Sequence, residues 1–394
     1  MSSWTLLGWA GSVPAVTWAA AGTGVADIGP VAAAGVVAEA GATGDAVGGP
    51  TGGRAGGGMD RAWSNAITSA STPGGPGLKV GRRYDPARMR VAVIDIGTNT
   101  TRLLVADVLD GHVTEVDRRT QVTRLGDGVD ATRRLSDSAM DRVRATMNGY
   151  AAAIAGCDAT TGVLTSATRD AANGEAFVRE IRDRYGIDAH VIEGDAEARL
   201  TFLGATSDRP PSAEPLLLID IGGGSTEFVV GTSDTIAFRV STQAGVVRQT
   251  ERHLHHDPPT AAELAALAAE AREIIEDAVP AAVRQRGGSG TGVAVAGTAT
   301  QCAAVVQSLV PYDAARVHGY RLSLATCAEL LERLAALGLE ERRQVPGMDP
   351  KRAPTIVAGI VILIEAMRAF GLDAVEVSEH DILYGAAIAR AGDA

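Results

Sequence analysis

Lysine is almost missing from this chain: Lys79 and Lys351 are the only two among 394 residues. Nearly all positive charge is therefore arginine, and the 36 basic residues are outnumbered by 47 acidic ones, for a net charge of −11. That balance argues against a nucleic-acid-binding surface. A polyanionic substrate would have to be met locally, by clustered arginine, backbone donors and a metal. Aromatic residues make up only 4%, so the core must be built from Val, Leu, Ile and Ala. The three cysteines, Cys157, Cys302 and Cys327, are odd in number and widely spaced, with no CxxC. A disulfide framework or zinc site is not expected, and a reducing, cytoplasmic compartment fits. Within residues 1–88 Gly and Pro break every apolar run well short of a membrane span, and no membrane partner is expected.

Residues 1–88 differ from the rest. They are dominated by Ala, Gly, Ser, Thr and Pro, and no Lys or Arg precedes Arg54. Without a basic n-region and an unbroken apolar segment, the stretch is not a secretory signal. It reads as a disordered extension, and Met89 sits just before the first core strand.

The densest signal is Leu216 to Val230, LLLIDIGGGSTEFVV. An apolar run ends in Asp220, three glycines follow, and a second apolar run reads as the return strand of a hairpin. Glycines at a strand end let backbone N–H groups converge on an anion, because no Cβ blocks its approach. Ser225 and Thr226 add hydroxyls, while Asp220 and Glu227 add carboxylates. Carboxylates beside a phosphate cradle imply a hard cation such as Mg²⁺ between them. The same phrase occurs 125 residues earlier as VAVIDIGTNTTRLLVADV, placing Asp95 on Asp220, Gly97 on Gly222 and Thr101 on Thr226. A strand–Gly loop–strand unit repeated at this spacing suggests two similar half-domains facing each other across a cleft.

Between and after these hairpins the pattern alternates strand and helix. Ser136 is expected to N-cap a helix with Met140, Val143, Met147 and Ile154 on its apolar face, and Gly186 to close the next one. Asp195 opens a helix carrying Glu197, and Pro210-Pro211 marks a boundary. In the second half a helix is expected to run from Thr260 to about Val279. Gly297-Thr298-Ala299-Thr300 is a third candidate ligand loop, Ala374 to Val377 closes the sheet, and Asp381 to Arg390 is a terminal helix. The domains are accordingly drawn at 89–212 and 213–394. His253, His255 and His256 lack acidic or Cys partners at ligand spacing, and Cys302 has no adjacent base, so neither is taken as a site.

From Met89 onward the chain resembles the exopolyphosphatase / guanosine pentaphosphate phosphohydrolase (Ppx/GppA) family. The matching phrases are Asp95-Ile-Gly-Thr-Asn-Thr, Ser166-Ala-Thr-Arg-Asp-Ala-Ala-Asn, Glu193-Gly-Asp-Ala-Glu-Ala-Arg-Leu and Asp220-Ile-Gly-Gly-Gly-Ser-Thr-Glu. The resemblance implies an α/β fold: two ribonuclease-H-like domains of the actin / sugar kinase / Hsp70 superfold around a central cleft. It implies that Glu197 positions and deprotonates a water, and that Arg169 lies near the phosphates. Asp220 and Glu227 are the expected Mg²⁺ ligands, with Asp95 a possible third. Gly97, Asn99, Thr100, Gly223, Gly224, Ser225 and Thr226 should hold phosphate oxygens. One departure is Ala196, where the family usually has a further acidic residue.

Polyphosphate or guanosine pentaphosphate is the expected substrate, and family members commonly form homodimers. An ATP-using kinase and a non-catalytic polyphosphate or alarmone binder are the competing classes; Glu197 in its motif favours hydrolysis. The chain stops about where the two-domain core ends, so it resembles the short family members that lack an HD-type helical domain. A short cleft saturates after a few phosphates, and the net charge of −11 repels the overhanging tail at low salt. Short polyphosphates are therefore expected to be cleaved faster than chains of hundreds of units at equal concentration of chain ends. Added salt should narrow the difference, as measured by phosphate release.

Overall fold

The computed structural model describes residues 88–232 and 235–392. The disordered extension expected over residues 1–88 lies, apart from Arg88, outside the described residues. Two mixed sheets organise the rest. The first has the order β3-β2-β1-β4-β5, formed by β1 (Met89–Ile96), β2 (Thr100–Leu109), β3 (His112–Val122), β4 (Ala159–Leu164) and β5 (Ala189–Val191). The pairs β1–β2 and β2–β3 are antiparallel, whereas β4 and β5 run parallel to β1. The reason lies in the runs: Val91 to Ile96 is buried throughout, as a strand covered on both faces must be. The outer strand β3 carries His112, Glu115, Asp117, Arg118 and Arg119, charges that suit an open edge.

The second sheet repeats this plan and extends it, with the order β10-β11-β9-β6-β7-β8. Its strands are β6 (Leu216–Ile221), β7 (Thr226–Gly231), β8 (Ile236–Thr242), β9 (Thr291–Val295), β10 (Arg321–Ser323) and β11 (Ala374–Val377). Reading from β8 to β11, the strand order and directions match those of the first sheet. The repeat in sequence is thus a repeat in space: two ribonuclease-H-like domains of the actin / sugar kinase / Hsp70 superfold. The expected closing strand, Ala374–Val377, is internal, because the three-residue β10 pairs antiparallel outside it. So short a strand leaves no periodic signal.

Most helices follow their local chemistry. The Ser136 hydroxyl accepts from the N–H of Ala139, and Gly186 closes its helix at φ 64°. The expected helix after Thr260 spans Ala261–Ala278 under a Thr260/Glu263 capping box. A second helix, Ala281–Gly288, follows Pro280. Val246–His253 forms a further helix directly behind the β6–β7 hairpin. Among the described residues, no helix is long and apolar enough to cross a membrane.

Two helices lie between the sheets. Gly194–Thr206 turns Ala198, Phe202 and Ala205 onto Leu218, Val229 and Val293 of the second sheet. Ile382–Gly392 follows the second sheet in sequence but packs Ile382 and Leu383 on Val91, Val93 and Leu104 of the first. A boundary after residue 212 separates the strands of the two sheets and leaves this helix apart from the sheet it covers.

The two helices cross backbone to backbone at glycine. A Cβ at Gly385 would overlap the Leu200 carbonyl oxygen, and one at Gly204 that of Asp381. Helix propensity alone favours alanine over glycine by about 1 kcal/mol, but overlap in a packed crossing costs about 1–3 kcal/mol. Gly385→Ala is therefore expected to lower urea stability. Gly149→Ala, on a helix face where an added Cβ meets nothing within 4 Å, is expected to raise it. Equal signs for the two variants would refute the crossing argument.

Candidate active site

The β1–β2 and β6–β7 loops face each other across one cavity, lined among others by Asp95, Asn99, Glu197, Asp220, Gly223 and Ser225. Each loop has its carbonyl groups tied down from behind. In the first loop, Thr98 O accepts from the N–H of Gly126 at 2.9 Å, and Asn99 O from those of Thr123 and Arg124 at 3.0 and 2.9 Å. In the second, Gly222 O and Gly223 O accept from Val246 and Val247 at 3.0 and 2.8 Å. Gly224 O accepts from Arg248 Nε at 3.1 Å. In a trans peptide the N–H points opposite to the C=O. The N–H groups of Asn99 and Thr100, and of Gly223, Gly224 and Ser225, are thereby turned away from these anchors. This converts two strand ends into donor arrays suited to phosphate oxygens.

The glycines have a second role. A Cβ at Gly223 would meet Thr98 Cβ at 2.8 Å, and one at Gly224 would overlap Ser166 Oγ. The loops of the two domains therefore touch, which only bare backbone permits.

Behind the loops lie three buried carboxylates. Glu197 stands in the first turn of its helix yet is only 8% exposed, which rules out a solvated helix-end carboxylate. Burial and the Glu227 charge push its pKa well above the usual carboxylate range, against the pull of Arg169. Asp220 is pushed up to about 8 by burial, Glu227 and Asp381, opposed by Arg102 and the Thr201 hydroxyl 3.2 Å away. Glu227 is raised by burial although Ser241 donates to it at 2.6 Å. Three buried acids facing so little positive charge form a donor set that fits a hard cation. Asp220 and Glu227 sit opposite each other in the β6–β7 ladder and would hold it.

The equivalent pair in the first domain is Asp95 opposite Arg102. Arg102 Nε lies 2.7 Å from Asp95 Oδ2, and its Nη1 bonds Asp381 just before the last helix. Asp95 thus faces the cavity with a guanidinium already on it.

The remaining expected residues are placed as follows. Arg169 does not line the cavity: its Nη1 donates to Ile192 O at 2.7 Å and stands 3.5 Å from Glu197 Oε2. The Thr226 hydroxyl is buried and donates to Ala244 O. In the third loop, Gly297 and Thr298 line the cavity, whereas Thr300 donates to Ala296 O of its own helix. Ala196 packs against the Val91–Val93 cluster, so the departure from the family pattern points away from the cavity.

The sequence reading missed Arg102 and Arg352. Arg102 could have been found, since it falls on Glu227 in the 125-residue repeat. Arg352 had no local signal in an arginine-rich chain. Its guanidinium packs on Gly297 at the cavity wall, without an ion pair among the described residues, and burial draws its pKa below the ordinary value.

The discounted groups fit their surroundings. His253 pairs with Glu270 at 2.6 Å and His256 with Glu263 at 2.8 Å, so they do not converge. The Cys302 thiol is fully buried and its pKa is raised by burial. Asp208, His318 and His380 do converge at the chain crossings between the domains. Glu379 N–H donates to His318 Nδ1 at 3.2 Å, however, which leaves that ring's proton on Nε2, turned to Asp208 at 3.0 Å. The nitrogen a cation would need is already in use.

The acid cluster sets a pH dependence. The folded pKa of Asp220, about 8, lies above its ordinary value of 3.8. Its contribution to stability is whole below about pH 4 and is lost as pH rises through about 8. In chelator, urea stability is expected to fall between pH 6 and pH 9. Asp220→Asn should flatten that fall and be more stable than the parent at pH 9 by at least about 1 kcal/mol, less than one pKa unit's worth. A parent curve flat over this range would contradict the acid-cluster reading.

Comparison with known proteins identifies the family. The family model described as the Ppx/GppA phosphatase family matches residues 104–386. Exopolyphosphatase 2 of Mycobacterium tuberculosis is 39% identical over 324 residues, which is 78% of this chain and 100% of that protein. A crystal structure of an exopolyphosphatase from Cytophaga hutchinsonii superposes with a TM-score of 0.67 at 26% identity, covering 75% of this chain and 96% of that one. The Aquifex aeolicus PPX-GPPA enzyme gives 0.63 at 29% identity, covering 76% and 99%. With two donor loops, a buried acid cluster and these matches in agreement, the chain belongs to the Ppx/GppA phosphatase family.

Proposed function

We propose that the protein is an exopolyphosphatase that hydrolyses the terminal phosphate of inorganic polyphosphate with Mg²⁺. The observation that carries this reading is the convergence on one cavity of Glu197, Asp220, two backbone donor arrays and Arg352, which has no ion pair among the described residues. The name borne by the M. tuberculosis relative supports the substrate. The family resemblance supports Mg²⁺, a homodimer and a cytoplasmic setting.

The donor arrays would hold the terminal phosphate, one from each domain, and fix its orientation before reaction. Arg352 and the guanidinium of Arg102 add fixed positive charge at the cavity wall. Glu197 takes the proton of the attacking water; burial and the Glu227 charge raise its pKa and with it the basicity of its carboxylate. Arg169, bonded to Ile192 O and facing Glu197, orients that carboxylate. A cation held by Asp220 and Glu227 would neutralise the phosphate oxygens and stabilise the charge of the departing chain. Guanosine pentaphosphate presents the same terminal anhydride, so it is the alternative substrate of this cavity.

Phosphate release from polyphosphates of defined length and from guanosine pentaphosphate, side by side and with or without Mg²⁺, tests the reading. Polyphosphate should be the faster substrate and chelation should abolish release. Glu197→Gln should lower turnover about 10²–10⁴-fold while binding persists, and Asp220→Asn and Glu227→Gln should raise the Mg²⁺ requirement. Near-parental turnover in Glu197→Gln would sink the assignment of the base, and full activity in chelator would sink the cation.

A further inference from the structure

One buried arginine has no part in the chemistry above yet touches both sides of the cleft. Arg248 lies in the first turn of the helix Val246–His253 and is only 8% exposed. Its Nε donates to Gly224 O in the second donor loop at 3.1 Å. Its Nη2 reaches Asp170 of the first domain at 2.8 Å, and its Nη1 pairs with Asp130, also of the first domain. The neighbouring side chains on this helix make the same crossing. Arg252 pairs with Asp130 at 2.9 Å, and Glu251 Oε1 accepts from the N–H of Gly128 at 3.2 Å.

The two carboxylates are placed at telling points. Asp130 follows the Gly126 turn, whose N–H anchors the Thr98 carbonyl of the first donor loop. Asp170 immediately follows the short helix Ser166–Arg169. Ser166 in that helix lies 2.8 Å from the Thr98 hydroxyl, and Arg169 faces Glu197. One guanidinium therefore joins the second donor loop to the supports of the first loop and of the base. All three of its bonds exist together only while the domains are closed. Separating them would break both ion pairs and leave Gly224 O with a partner free to move.

We propose that Arg248 is a positioning residue: it fastens the Gly222–Ser225 loop to Asp130 and Asp170 across the cleft, so that the phosphate-facing donors are set when the domains close. This rests on the phosphatase reading for its kinetic consequence, but not for the closure itself. A planar guanidinium reaches a carbonyl and two carboxylates through three different nitrogens, a span that the compact ammonium of lysine matches only in part. Loss of the fastening should appear as misplacement rather than as missing chemistry, and displacements of about 1 Å can cost about 10²-fold in rate.

The test uses the full chain and two independent lesions. Arg248→Gln removes the fastening, while the double variant Asp130→Asn/Asp170→Asn leaves Arg248 on Gly224 and removes only the crossing. Closure is read by hydrogen exchange at the Gly128 amide, whose partner Glu251 lies on the opposite domain, with and without tripolyphosphate in chelator. Both lesions should speed that exchange and lower kcat, each by at least about tenfold. Arg248→Lys should recover part of both, and tripolyphosphate should slow exchange in the parent but not in the double variant. Unchanged exchange in the folded double variant, or faster exchange with kcat within about twofold of the parent, would overturn the proposal. If the parent releases no phosphate from any chain, the phosphatase reading fails instead, and exchange at Gly128 with tripolyphosphate still decides the fastening.

Discussion

Burying three carboxylates within reach of one another is the constraint around which this molecule is built. Glu197, Asp220 and Glu227 all sit under 9% exposure, and Arg169 is the nearest guanidinium to Glu197, at 3.5 Å. Like charges held in low dielectric oppose folding unless something else fixes their positions. Here that is the β6–β7 ladder for two of them and a helix wedged between the sheets for the third. The scaffold stores an unfavourable arrangement that a bound cation would relieve. Structural strain of this kind belongs where binding occurs.

The two halves show one frame carrying two different charge arrangements. Their hairpins share strand order and the terminal Asp-Ile-Gly, their loops then differ (Thr-Asn-Thr against Gly-Gly-Ser), and the residue opposite the aspartate is Arg102 in the first and Glu227 in the second. In the first, the aspartate is neutralised within the domain, and Arg102 spends its second arm on Asp381. In the second, the aspartate faces another acid. A duplicated frame can thus present a loop from each copy to one cavity while pairing the aspartate of one copy with a guanidinium and that of the other with a second acid.

Much of this was legible in the sequence because its signals are local. Val91 to Ile96 and Leu216 to Ile221 are continuous apolar runs that end in Asp-Ile-Gly, and they repeat. The acid set was legible through its motifs. What stayed hidden depends on contacts across long stretches of chain. Nothing near Arg352 marks it as the guanidinium that packs on Gly297, and nothing near Arg248 announces Asp130 and Asp170. In a chain where arginine supplies almost all the positive charge, residue type alone cannot separate a site arginine from a surface one. Arg169 illustrates the converse: the motif located it, but only the fold shows that it faces Glu197 instead of lining the cavity. The three-residue β10 was too short for any periodicity to register.

The helix Ile382–Gly392 has a bearing on how the protein is made. It closes the face of the first sheet formed by Val91, Val93 and Leu104, strands whose residues leave the ribosome nearly three hundred positions sooner. Until that helix emerges, the nascent first domain presents an uncovered apolar face to the cell. Domains generally fold as units during synthesis, but here the earlier unit waits for the helix Ile382–Gly392 to emerge before it is sealed. The face formed by Val91, Val93 and Leu104 is then the surface a chaperone would have to hold until residues 382–392 emerge.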